Sequence, residues 1–312
     1  MNEFSLIYRH FQQLTPKNPT TQLGIGDDCA VSTIPYQQEL VSCVDVLVAG
    51  RHFPVNTTAY AIGFKSVAVN LSDLAAMGAT PFALLLGISL PQSLACDEFL
   101  DEFGRGIFDI CQPFGVELIG GDTTCSNLLT ISVTALGLID KGKAIQRRGA
   151  RVGDVICVSG EIGSASYALS SILKNAYTPL QSALDCPYPQ VILGQKLIGY
   201  ANSMIDISDG LGQDLGHILT ASGVGATLYL DKIPCHESLN QLPFAQKYQH
   251  ILNGGDDYQL CFTMNKEKFE QFQADFPDLS IHAIGEITAD SGLRLFEHGQ
   301  AVAFDIKGFK HF

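Results

Sequence analysis

The stretch Val67–Ala79 constrains the fold of this chain more than any other. Ala61, Ile62, Phe64, Val67, Ala68, Leu71, Leu74 and Ala75 recur at helical spacing, which predicts the back half of an amphipathic helix packed on a core. Gly78 stands just past its end, where a left-handed closing residue belongs. Asn70 and Asp73 interrupt this apolar surface and, three residues apart, share one face. An ionised Asp on an otherwise buried helix needs a partner, a cage of hydrogen bonds or a metal ion. A cap or a bond to a neighbouring loop would satisfy one such residue, but Asp73 is one of several.

Gly24-Ile25-Gly26-Asp27-Asp28-Cys29-Ala30-Val31 sets two adjacent acids between apolar flanks, unlike the polar flanks of an ordinary turn. Leu40–Val48 reads as a strand of nearly continuous apolar character, as in a sheet buried on both faces, with Asp45 in its middle. Gly50-Arg51-His52-Phe53-Pro54 ends it, and His52 taken alone reads as a satisfied structural histidine. Glu117–Thr124 is a short strand running into Gly120-Gly121-Asp122, whose backbone N–H groups could meet a phosphate. Asp206-Ile207-Ser208-Asp209-Gly210-Leu211 ends a strand in carboxylates, and Gly254-Gly255-Asp256-Asp257-Tyr258 precedes another strand at 259–263. Carboxylates in apolar settings cannot converge without repelling one another. Basic residues beside them are few, so metal ions are the natural compensation, and oxygen ligands without His or Cys point to Mg²⁺ rather than Zn²⁺.

The 312 residues carry a formal net charge of −13, which repels nucleic acid and anionic membrane and excludes both as partners. An acidic chain can still bind nucleotide phosphates if metals rather than Lys and Arg provide the positive charge. Nine Cys without a C-x-x-C pair, lying mostly in apolar runs such as those around Cys157 and Cys261, fit a reducing cytosol. The N-terminus lacks the pattern of a signal peptide, and the richest apolar run, Ala79–Leu90, is too short to span a bilayer, so a cytoplasmic protein is expected.

With 46% hydrophobic residues the chain can build full cores, and the order of elements reads as two α/β halves. A short helix over 3–14 and a linker over 15–23 lead in. Strands over 82–90 and 129–139 and a helix over 97–114 complete the first half. The basic run with Lys141, Lys143, Arg147 and Arg148 marks the boundary. The second half has a strand within 153–160, helices over 164–173, 191–201, 212–221 and 266–276, strands near 226–230 and 281–287, and an irregular tail. Gly137–Lys143 matches the spacing of a P-loop, but Ala144 replaces the Mg²⁺-binding Ser/Thr and the following residues start a helix poorly.

Gly24–Ala30, Val69–Gly78, Gly120–Thr124, Asp206–Leu211 and Gly254–Tyr258, five motifs in one order over essentially the whole chain, closely resemble the thiamine-monophosphate kinase family. That family belongs to the aminoimidazole-ribonucleotide-synthetase-like superfamily. The resemblance implies a two-domain α/β (α+β) fold, with residues 1–140 as the ATP/Mg-binding and dimerisation domain, 141–312 as the domain completing the substrate site, and a homodimer formed by the N-terminal domains. It implies transfer of the γ-phosphoryl of ATP to thiamine monophosphate, giving thiamine diphosphate and ADP. On matching positions, Asp28, Asp45, Asp73, Asp122, Asp206 and Asp209 are expected to ligate several Mg²⁺ ions. Gly121, Asp122, Arg147 and Ser208 are expected to contact ATP, and His52, Asp256 and Phe309 the acceptor. Asp73, Asp122 and Arg147 would carry the catalytic charge neutralisation in a direct in-line transfer. Three positions depart from the family pattern: Val44 replaces a Ser/Thr before the strand Asp, Asp256 a longer Glu, and Phe309 a larger or hydroxylated aromatic. A selenophosphate synthetase or a hydrogenase-maturation relative should carry a reactive Cys near the N-terminal Gly-rich region or at the C-terminus. Here Cys29 has no obvious activating base, and the chain ends Lys310-His311-Phe312. A non-catalytic nucleotide-binding regulator would bind ATP but release no ADP.

Overall fold

The computed structural model describes residues 7, 9–12, 14–26 and 29–308. The expected helix over 3–14 is therefore only partly described, and Asp27, Asp28 and Phe309 lie outside the described residues. Two compact units are present, one of Met1–Leu74 and Ala79–Gly142, the other of Ala75–Gly78 and Lys143–Phe312.

In the first unit, β1 (Thr21–Leu23) and β2 (Val31–Ser32) form a small antiparallel ribbon. A four-stranded sheet follows from β3 (Gln38–Val48), β4 (Thr80–Leu90), β5 (Glu117–Cys125) and β6 (Thr130–Asp140), in the order β3-β6-β4-β5. Helix α1 (Ala59–Ala76) joins β3 to β4, and α2 (Asp97–Cys111) is the crossover that makes β4 and β5 parallel. The other two pairings are antiparallel, β3 with β6 in unbroken register from Gln38↔Asp140 to Val48↔Thr130.

Two expectations need correction. Helix α1 is not amphipathic but buried all round: from Ala61 to Ala76 only Phe64 and Asp73 are partly open. Ser66, fully buried, returns its hydroxyl to the Gly63 carbonyl at 2.9 Å, which lets a polar residue sit in the core without an outside partner. Strand β3 is not covered on both faces within one chain. It is an edge strand whose Leu40, Val44 and Val46 are 51, 59 and 49% exposed, while Cys43, Asp45 and Leu47 alternate onto the inner face.

The second unit holds a seven-stranded sheet in the order β13-β12-β9-β11-β7-β10-β8. In chain order its elements are β7 (Val155–Val158), α3 (Ser164–Leu173), α4 (Gln181–Asp185), α5 (Val191–Lys196), β8 (Ser203–Asp206) and α6 (Leu211–Ser222). Then come β9 (Gly225–Tyr229), α7 (Glu237–Asn240), α8 (Phe244–Asn253), β10 (Leu260–Met264), α9 (Lys266–Asp275), β11 (His282–Thr288), β12 (Gly292–Glu297) and β13 (Gln300–Val302). All pairings are antiparallel except β9 with β12. Ile156, Val158, Ile205, Ile218, Leu228, Tyr248, Ile251 and Cys261 meet in its core. Helix α8 and the β12–β13 hairpin are elements that sequence pattern did not suggest. The P-loop spacing is excluded, because Gly137 and Asp140 lie inside β6 and no helix begins between 141 and 154. Among the described residues no helix is long and apolar enough to cross a membrane.

Candidate active site

The acids of the first unit stand where α1 packs behind β3. Strand alternation turns Asp45 and Cys43 to the same side, and the helix brings Asn70 and Asp73 against them. Asn70, wholly buried, ties the two elements: its Oδ1 accepts the Asp45 N–H at 3.1 Å and the Cys43 thiol at 3.7 Å, and its Nδ2 donates to the Ser66 carbonyl at 3.0 Å. Cys43 reports how near the carboxylates lie. Burial, then the charges of Asp73 and Asp45, push its thiol far above the usual range, and it hydrogen-bonds Asp73. Burial also raises the Asp45 carboxyl. The site therefore sets two acids around one spot that disfavours negative charge.

Asp122 is exposed on β5, opposite Gly87 of β4, and its Oδ1 accepts the Thr123 N–H at 3.0 Å. The strand does not end at Gly120-Gly121 as expected but bulges at Ile119 and continues to Cys125. Gly121 is required there, because a Cβ would lie 1.9 Å from the Leu86 carbonyl oxygen. As β5 is an edge strand, alternate N–H groups along it point away from β4. His52 sits in the turn after β3, its Nδ1 accepting the Val48 N–H at 3.0 Å.

In the second unit, Asp206 ends β8 and is 4% exposed, while Ser208 and Asp209 occupy the turn into α6. Gln213 Nε2 donates to Asp209 Oδ2 at 2.8 Å. The Gly254–Tyr258 loop is stitched to this turn: the Asp256 N–H donates to the Ser208 carbonyl at 2.9 Å and the Tyr258 N–H to the Ile207 carbonyl at 2.8 Å. Gly255 lies so close that a Cβ would be 2.2 Å from the Ser208 oxygen. Asp256 and Tyr258 adopt left-handed backbone, φ 70° and 49°, and the Tyr258 hydroxyl donates to Asp256 Oδ1 at 3.1 Å. Such conformations cost about 1–3 kcal/mol each and collect at functional sites. Asp257 points the other way, its two oxygens accepting the Gly163 and Ala165 N–H groups at 2.7 and 3.4 Å. It caps α3 from across the unit, and burial pushes its carboxyl up to about 7. The adjacent acids thus divide into one that faces the turn and one that holds the fold.

Arg147 is exposed in the segment before β7, its carbonyl 3.5 Å from the Ser222 hydroxyl. Among the described residues no three His, Cys, Asp or Glu side chains form a ready-made metal cage. Asp214, which no sequence pattern singles out, is 2% exposed in the first turns of α6 and gathers the N–H groups of Ser208, Asp209 and Gly210. Its only signal in the sequence is an acid near a helix start, which ordinarily means no more than a favourable dipole.

Residues 26–139 match the family of the AIR synthase related protein, N-terminal domain, and residues 151–298 that of its C-terminal domain. The thiamine-monophosphate kinase of Escherichia coli (strain K12) is 39% identical over 99% of this chain and 98% of its own length. The crystal structure of thiamine-monophosphate kinase from Stenotrophomonas maltophilia K279a superposes with a TM-score of 0.83 at 39% identity, covering 91% of this chain and 93% of that one. AaThiL complexed with AMPPCP and TMP gives 0.78 at 31% identity, covering 90% and 89%. Two acid-bearing units of this fold, matched end to end at this identity, place the chain in the thiamine-monophosphate kinase family.

Proposed function

We propose that this protein transfers the γ-phosphoryl group of ATP to thiamine monophosphate, forming thiamine diphosphate and ADP. The observation that carries the reading is the end-to-end likeness to thiamine-monophosphate kinases, one of them solved with AMPPCP and TMP.

The donor chemistry fits Mg²⁺. Asp45, Asp73 and Asp122 in the first unit and Asp206 and Asp209 in the second offer hard oxygens, and burial of Asp45 makes a nearby cation favourable. Mg²⁺ usually takes one or two carboxylates and completes its shell with phosphate oxygens and water, so pairs of acids suffice. Asp28 would add a further carboxylate from outside the described residues. When bound, the ions supply the positive charge that draws phosphates to this acidic chain. Gly121, Asp122, Arg147 and Ser208 bind the nucleotide in this reading. The backbone of β5 gives N–H donors and Arg147 neutralises charge on the transferring group. His52, Asp256 and Phe309 hold the acceptor, with Phe309 stacking on the cationic thiazolium ring. Asp256 is one methylene shorter than Glu, so a water bridges it to the substrate. Val44 leaves only its carbonyl for a metal, and Phe309 keeps the stacking but no polar contact. Transfer is in line and direct, without a phosphoenzyme, and because the acceptor phosphate is ionised at neutral pH it needs no general base.

Residues 1–140 and 141–312 are the working domains in this reading. The outer face of β3, β6 and β4 pairs the protein as a homodimer, and nine free thiols suit the cytoplasm. The test is ADP release from Mg²⁺-ATP with thiamine monophosphate, with free thiamine, and with neither. Release that requires the monophosphate, with thiamine diphosphate in equal amount, is expected. Asp73→Ala and Asp122→Ala should each lower turnover by roughly 10²-fold or more in a folded protein. Release independent of the monophosphate overturns the acceptor, and near-wild-type activity in both variants overturns the metal role.

A further inference from the structure

Asp214 has no place in the mechanism above, yet it is built into the fold at a cost. It is 2% exposed, and a carboxyl taken that far from water loses hydration that only hydrogen bonds within the fold can replace. A carboxylate kept in such a place does something that a packed leucine would not. One oxygen, Oδ2, accepts three consecutive backbone N–H groups, from Ser208 at 3.0 Å, Asp209 at 3.0 Å and Gly210 at 3.1 Å. Three successive N–H groups around an anion form a nest of the kind that elsewhere holds phosphate. Here the nest is already filled from within. With these three donors occupied from within, the turn offers none of them to a bare phosphate, and Asp209 Oδ2 accepts Gln213 Nε2 at 2.8 Å. The same turn carries the Ser208 carbonyl that receives the Asp256 N–H, so its shape passes to the Gly254–Tyr258 loop.

We propose that Asp214 is a positioning residue that, by filling the nest of the Ser208–Gly210 turn, sets Asp209 and Ser208 in the geometry that receives the metal-bound nucleotide. The inference rests on the reading of Asp206, Asp209 and Ser208 as metal and nucleotide residues. Its effect should resemble loss of an outer-shell partner, which typically weakens metal affinity by about 10–100-fold.

The experiment measures binding of Mn²⁺·ATP by electron paramagnetic resonance, alongside far-UV circular dichroism and the thermal midpoint, in wild type, Asp214→Asn and Asp214→Ala. The expected order of dissociation constants is wild type, then Asn, which keeps one acceptor of the same shape, then Ala at about 10–100 times wild type. A merely structural role would lower the thermal midpoint and leave the constant for the folded fraction unchanged, and that outcome overturns the proposal. If the Ala variant does not fold, Asp214→Asn decides: several-fold weaker Mn²⁺·ATP at a native spectrum supports it, and wild-type binding overturns it. Turnover with thiamine monophosphate separates the two readings. An active wild type with Asp214 variants that bind normally defeats the positioning role alone. A wild type that binds Mn²⁺·ATP in the expected order but phosphorylates no thiamine monophosphate defeats the acceptor alone.

Discussion

Asp45, Asp73, Asp256 and Asp257 are the same residue type with different tasks, and the neighbours decide which. Asp73 is visible in the sequence because it interrupts an apolar helix, and Asp45 because it interrupts an apolar strand. Their meeting at Cys43 is not visible, since 28 positions separate the two along the chain. Asp257 carries a prediction. Burial raises its carboxyl from 3.8 to about 7, so the folded state holds a proton there that the unfolded chain has lost. Its contribution to stability is complete below pH 3.8 and is lost as pH rises through about 7. Asp214 adds a change of the same sign. Asp257→Asn, which cannot ionise, should therefore gain relative to wild type between pH 5 and pH 8 in urea melts. Its opposed amide and N–H donors impose only an offset independent of pH. An Asn–wild type difference that does not change with pH would show that the site is not desolvated.

At the scale of elements, β3 shows what pattern alone misreads. Apolar residues on both faces predict a strand buried on both sides, yet Leu40, Val44 and Val46 face outward, paired with Leu138, Thr134 and Ser132 of β6. The pattern records that a surface is meant to be covered, not by which chain. In the homodimer proposed above, a second copy covers this strand face. Val44→Lys, on the 59%-exposed centre of that face, is expected to elute as a monomer in light-scattering chromatography with its circular dichroism unchanged. A persisting dimer would move the interface elsewhere. Helix α1 gives the complementary lesson: its spacing reveals an apolar stripe, but burial of Ser66 and Asn70 depends on bonds to its own backbone and to β3.

For the whole molecule, a net charge of −13 makes the divalent cation, in the reading proposed above, the first condition for holding a nucleotide. ATP binding by calorimetry should be strong with Mg²⁺ and nearly abolished by EDTA, and ATP bound equally well in EDTA would assign the phosphates to Arg147 and the β5 backbone instead. The class of fold, the two-part order of elements and the acid-bearing motifs are legible along the chain, because helical and strand periodicities are local and an acid among apolar residues stands out against them. The mostly antiparallel pairing, the exposed edge of β3, the strand that runs on through Gly121, and the different tasks of Asp256 and Asp257 emerge only from long-range packing, and the folded structure was needed to see them. It alone revealed Asp214, whose work is done through three backbone N–H groups. Backbone donors are the same in every sequence, so a side chain that acts by filling them leaves no pattern until the chain has folded around it.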